Sequence, residues 1–222
     1  MHKLAKIHRF KHHEGQTLIY ATIDELVSED KFNQFRNANT GYLEVDIDFK
    51  DNRNISVEQR KKIYALLRDI SRYNGHGVSR NKETLKNDYI VEKRIEPFSL
   101  SDTSVSNARE FISYLIELCF LYDIPFKNKG IHMTDDINRY LYLCLKFRKC
   151  AITGVPGEVH HIDTIGAGRD RRHVDHSQHR LVCLSREMHI KAHSMGWEEF
   201  AALHHIDGIR LTAEQVKGIK YK

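Results

Sequence analysis

No stretch of this 222-residue chain is apolar for long enough to cross a bilayer as a helix, which takes about 20 consecutive residues. Its opening residues, Met1-His2-Lys3-Leu4-Ala5-Lys6, hold none of the apolar core of an export signal. Cysteine is scarce: Cys119, Cys144, Cys150 and Cys183 are all there are, and no two stand in a CxxC pair. Reduced thiols in a cytoplasm are therefore expected rather than disulfides. Internal repeats and low-complexity tracts are missing too, which argues against a repeat array. No charge of one sign dominates. A net charge of +5 with a pI near 8.9 is a mild lean toward polyanionic partners.

What is present is the composition of an ordinary soluble protein, 41% hydrophobic and 29% charged, with local patterns of both periods. They point to an α+β fold. Residues 2–10 and 16–23 read as strands, 24–36 as a helix, and 42–49 alternate apolar and acidic side chains like a half-buried strand. Ser56-Val57-Glu58-Gln59 is a capping box, after which Ile63, Leu66, Leu67 and Ile70 form a helical apolar face that stops at Asn74-Gly75-His76-Gly77. A further helix is expected over about 81–91. The stripe Ala108, Phe111, Ile112, Leu115, Ile116 and Cys119 predicts another over 107–122. Turn chemistry from Ile124-Pro125-Phe126 to Lys129-Gly130 marks a domain boundary. Thr134, Asp135 and Asp136 then cap a helix that runs to about Phe147. The expected organisation is a domain over 1–128, a helical linker over 129–149 and a small module over 150–222.

That last module holds 9 of the 15 histidines. His160-His161-Ile162-Asp163 reads as a short strand, so the two imidazoles point to opposite faces. His189 and His193, four apart, share one helix face. His160, His189 and His193 can converge on one divalent metal and leave positions open for a phosphate oxygen and water, the mark of a catalytic rather than structural centre. His161, on the other face, is then free to take a proton from water, because imidazole titrates near neutral pH. The metal would act as Lewis acid for the phosphate and the departing oxygen. Arg169, Arg171 and Arg172, in the loop Gly166-Ala167-Gly168-Arg169-Asp170-Arg171-Arg172, would hold flanking phosphates.

Cys150-Ala151-Ile152-Thr153-Gly154, Val159-His160-His161-Ile162-Asp163 and the span from Leu181 to His193 resemble the HNH endonucleases, whose fold is two strands and a helix around one metal. The resemblance covers roughly the last 70 residues. It implies His160 as the strand-borne metal ligand, His161 as general base, and His189 and His193 as helix-borne ligands. Two features depart from the family. Nine residues before His189, where many members carry the Asn that orients the base, stands Arg180, leaving that role to His176, His179 or the backbone alone. The paired CxxC zinc knuckles that brace many members are missing, so Cys150 and Cys183 read as packing residues.

In the N-terminal half, Arg60, Tyr64, Arg68 and Arg72 recur every four residues with Lys61 beside them, a basic stripe with an aromatic that can track a phosphate backbone and stack a base. Read alone, such a row is more often a solvated face, diluted by Glu58 and Asp69. The run from Asn54 to Arg72, with the later amphipathic helix around 111–121, resembles the phage Orf (NinB) recombination proteins over roughly residues 40–126. That family implies an α+β homodimer with a basic channel for single-stranded DNA, acting beside single-strand-binding protein.

Together these readings predict an Orf/NinB-like α+β domain followed by a small ββα-metal HNH module. The expected protein is a metal-dependent endonuclease of phage DNA recombination, acting in the cytoplasm of a bacterial host on single-stranded or branched DNA. The family implies products with 5′-phosphate and 3′-hydroxyl ends. Mg²⁺ or Mn²⁺ is the expected ion, while an imidazole-rich site also suits Ni²⁺ or Zn²⁺. The competing readings are a non-catalytic single-strand-binding mediator with a structural or decayed metal module, and a sequence-specific homing or restriction-type endonuclease.

Overall fold

Glu14 and Gly15 both take positive φ, 48° and 77°, as a two-residue hairpin turn requires. They join β1 (Ala5–His13) to β2 (Gln16–Ile23) in an antiparallel pair. A register shift between Ile7 and Arg9 keeps Ile7 and Phe10 on one face, opposite Ala21 and Ile19. In this computed structural model, which describes residues 5–43, 45, 47, 53–163 and 176–219, the hairpin belongs to the first of two units, Met1–Lys50 and Asp51–Lys222. The helix expected from residue 24 starts later, as α1 (Glu29–Phe35), because the Ser28 side chain caps it by accepting from Lys31 N. Of the strand expected over 42–49, Leu43 makes an isolated bridge with Arg36, and residues 44, 46, 48 and 49 lie outside the described residues.

The second unit is built on helices. α2 (Val57–Asn74) has the full capping box, with Ser56 Oγ accepting from Gln59 N and Gln59 Oε1 accepting from Ser56 N, both at 3.0 Å. It ends on Gly75 at φ 73°, a left-handed position that suits a residue without Cβ. α3 (Val78–Lys93) follows, longer than expected at both ends, then α4 (Val105–Leu121). The predicted stripes meet: Ile63, Leu66, Leu67 and Ile70 of α2 and Ala108, Phe111, Ile112, Leu115 and Ile116 of α4 are all fully or almost fully buried.

The boundary and linker expected over 124–149 are not where the chain divides. After α5 (Gly130–Met133), a single helical turn, α6 (Ile137–Phe147) buries Tyr140, Leu141, Leu143, Cys144 and Leu145. Those apolar positions cover more than one face, so the helix packs on α4 and also on the module beyond it. Lys62 of α2 donates to Thr134 O at 2.8 Å and pairs with Asp135, while Tyr140 Oη donates to Ala151 O at 3.0 Å. One hydrophobic core accordingly runs from Ile55 to Ile219. On its far side lie β3 (Glu158–His161), a 3₁₀ turn at 176–178, β4 (Leu181–Leu184), α7 (Arg186–Met195), α8 (Trp197–His204) and α9 (Ala213–Gly218).

Candidate metal centre

β3 and β4 pair antiparallel, with His160 opposite Val182 and His161 opposite Leu181. β4 is buried along its whole length, so it anchors β3 to the core. Ser185 ends β4 and caps α7, its hydroxyl accepting from Met188 N at 3.4 Å. α7 therefore starts at a defined point and sends His189 and His193, one turn apart, toward β3. This is a ββα arrangement.

The three predicted ligands come together. Ring centroids stand 4.7 Å apart for His160 and His189, 5.0 Å for His160 and His193, and 4.9 Å for His189 and His193. One nitrogen from each ring lies within 4.8 Å of the other two. His189 Nε2 and His193 Nε2 are 3.1 Å apart, matching the separation of about 3 Å expected of neighbouring donors bonded to one ion at 2.0–2.1 Å. His160 is buried, His189 half-buried and His193 exposed, so the cluster opens to solvent on its helix side. Three neutral nitrogen donors with one open side fit a divalent cation that retains exchangeable positions.

Burial, reinforced by the neighbouring His189, His193 and His161 rings, pushes the His160 pKa down from 6.5 to about 4. The ring is neutral at physiological pH, the form that ligates metal. Since the folded value lies below the unfolded one, the unfolded chain takes up the proton first as pH falls. Stability linked to this group is whole above pH 6.5 and is lost as pH falls through about 4. Urea unfolding of metal-free protein is expected to show a falling midpoint across that window, and His160→Phe is expected to flatten the decline. A variant with the wild-type slope would discard His160 as its source.

Two flanking residues escaped the sequence reading. Glu158 Oε2 lies 3.7 Å from His189 Nδ1, where a carboxylate can set the orientation and basicity of a ligating imidazole. Strand alternation was the available signal, since Glu158 is two residues before His160 and shares its face. Trp197 stacks along His160 with centroids 5.6 Å apart and planes 28° apart. Its spacing of four from His193 would put it on the ligand face of an unbroken helix, but Gly196 at φ 83° breaks the helical register between α7 and α8, so that period does not by itself place it.

His161 is half-buried, and its ring lies 6.1 Å from that of His179 at 75°. His179 Nδ1 is buried with no hydrogen-bond partner among the described residues. Of the two histidines considered for orienting His161, His179 is its neighbour, while the His176 side chain lies outside the described residues. Arg180 is engaged elsewhere, by Asp163 and Asp207. Cys150 and Cys183 are fully buried, and burial raises the Cys183 thiol to about 12, in keeping with packing. Arg169, Arg171 and Arg172 lie outside the described residues.

On α2, Arg60 and Tyr64 are half-buried while Lys61, Arg68 and Arg72 are exposed. Three of these cations have partners: Arg60 Nη2 donates to Ser101 O at 3.2 Å, Lys61 pairs with Glu58 at 2.8 Å, and Arg72 pairs with the buried Asp69 at 2.6 Å. Lys82 and Lys86 of α3, missed in the sequence, line one groove with Arg60, Tyr64 and Ser101. Glu83 is shared between the two lysines at 3.0 and 3.5 Å, so the groove keeps an excess of positive charge.

No curated protein and no solved structure matches the chain. A family model described as "Putative HNHc nuclease" matches residues 27–222, which takes in the helices α2 to α6 as well as the ββα module. With that match over most of its length and three imidazoles meeting between β3 and α7, the chain belongs to the HNH nuclease family.

Proposed function

We propose that the chain is a metal-dependent DNA endonuclease that hydrolyses phosphodiester bonds in single-stranded or branched DNA. The observation that carries this reading is the convergence of His160, His189 and His193 with His161 on the opposite face of the same strand. His160, His189 and His193 hold the ion, for which Mg²⁺ or Mn²⁺ is our assignment, with Ni²⁺ and Zn²⁺ as the alternatives suited to imidazole. When bound, the ion supplies Lewis-acid stabilisation of the phosphate and of the leaving 3′-oxygen. His161 removes the proton from the attacking water, and His179 beside it limits the orientations its ring can take. Arg169, Arg171 and Arg172 grip flanking phosphates. Labelled linear, flapped and branched DNAs incubated with Mg²⁺, Mn²⁺, Ni²⁺, Zn²⁺ or EDTA test the proposal: metal-dependent cutting is expected on at least one of them, and no cutting of any with any of the four metals would end it.

The basic row on α2 and the groove beside it support single-strand binding through Arg60, Lys61, Tyr64, Arg68 and Arg72. Lys82 and Lys86 extend the same face. The resemblance of residues 54–72 to the Orf proteins supports a role in phage recombination, as a homodimer acting beside single-strand-binding protein in the cytoplasm of a bacterial host. Reversing two charges, Arg68→Glu with Arg72→Glu, is expected to weaken binding of a labelled oligonucleotide. The slope of log affinity against log salt should also become shallower, by about 0.7 for each phosphate that is no longer neutralised. An unchanged slope takes α2 out of the interface.

A further inference from the structure

We infer that Arg180 is a positioning residue for the metal ligand His160, acting through Asp207 and Trp197; the inference rests on the metal centre proposed above. Arg180 immediately precedes β4, and its backbone N–H donates to Asp163 Oδ2 at 2.7 Å. Its Nε and Nη2 donate to Asp163 Oδ1 at 3.1 and 2.9 Å, while Nη1 donates to both oxygens of Asp207 at 3.0 and 3.1 Å. Asp207 Oδ1 also accepts from Gly208 N at 2.8 Å and from Trp197 Nε1 at 3.4 Å. The indole so held is the one that lies along His160. A path of directed contacts thus joins the guanidinium to a metal ligand.

The backbone around Asp207 is shaped for this. Leu181 and Ile209 exchange two backbone hydrogen bonds, at 2.8 and 2.9 Å, which lays the segment against the edge of β4. A Cβ on Gly208 would stand 2.1 Å from Ile162 Cδ1 and 3.1 Å from Leu181 O, so glycine is what lets the segment come this close. Asp207 is thereby delivered to Arg180 at one end and to Trp197 at the other. A planar guanidinium can serve two carboxylates at once, which an ammonium cannot do with the same geometry. The pairs are partly exposed, with the Arg180 side chain at 37% and Asp207 at 62%, so they add little to stability. Their effect falls on the angle at which the indole, and with it the His160 ring, is held.

Trp197 is the only tryptophan, so fluorescence excited on the red edge of the indole band, beyond tyrosine absorption, reads this one place. Titration with Ni²⁺, whose open d shell quenches a nearby indole, is expected to give a saturable quench in wild-type protein. Arg180→Ala is expected to weaken the Ni²⁺ affinity about tenfold and to lower the anisotropy of Trp197, and Arg180→Lys to recover only part of the affinity. Asp207→Asn keeps an oxygen for the indole but loses the charge that anchors it, and should fall between wild type and Arg180→Ala. Should Arg180→Ala fail to fold, Asp207→Asn decides, and wild-type Ni²⁺ affinity in it overturns the inference. Wild-type quenching that Arg180→Ala leaves intact overturns it as well, without touching the metal centre. A wild-type chain with no saturable quench removes the metal centre, and this inference with it.

Discussion

His161→Ala is expected to slow metal-dependent DNA cleavage by roughly 10²- to 10⁴-fold, the usual worth of a positioned general base. The same variant should bind metal as wild type does, because His161 lies on the opposite face of β3 from the ligand cluster. Leu181 stands across the strand pair from it, and its ring is only half-buried, so folding should be little affected. The measurement is plasmid nicking at matched Mn²⁺ concentration, with calorimetric titration of the ion alongside. Unchanged nicking would strip His161 of its role. Loss of nicking together with loss of metal affinity would make it a ligand instead.

The second large effect concerns the ion itself. Ligand that binds only the folded chain stabilises it by about 2.7 kcal/mol at a hundredfold excess over Kd, which for a protein of this size is a rise of roughly 5–10 °C in Tm. Wild-type protein is expected to show that rise on adding Ni²⁺ or Mn²⁺ and to lose it with EDTA. His193→Ala should show none and should cleave nothing detectable. His193 is the candidate ligand to choose because it is exposed; a change at the buried His160 would disturb packing as well as any coordination. An equal rise in Tm for His193→Ala would mean that the ion binds elsewhere.

Much of the geometry of the candidate centre was legible in the sequence. A spacing of four on a helix and of one on a strand are local facts, and they alone give the shared face of His189 and His193 and the opposed faces of His160 and His161. The helix caps were legible for the same reason, since Ser56 and Gln59 act within one turn. The reading failed where a helix had apolar residues on more than one face. α6 looked like a connector because it follows turn chemistry, yet Leu141, Leu143 and Leu145 are all buried between neighbours on different sides. The basic row on α2 was visible too, but not that Lys82 and Lys86 of the next helix lie beside it, because that depends on how α2 and α3 cross.

By itself, the order of residues determined which side chains could serve as ligands and base, since the periods of helix and strand act over a few positions. Tertiary structure alone decided what surrounds them. Asp163 meets Arg180 across 17 residues, Arg180 meets Asp207 across 27, and Trp197 reaches His160 past a helix break. Contacts over such distances are set by the packing of β4 and of the segment around Ile209 against one core, and no local period encodes them.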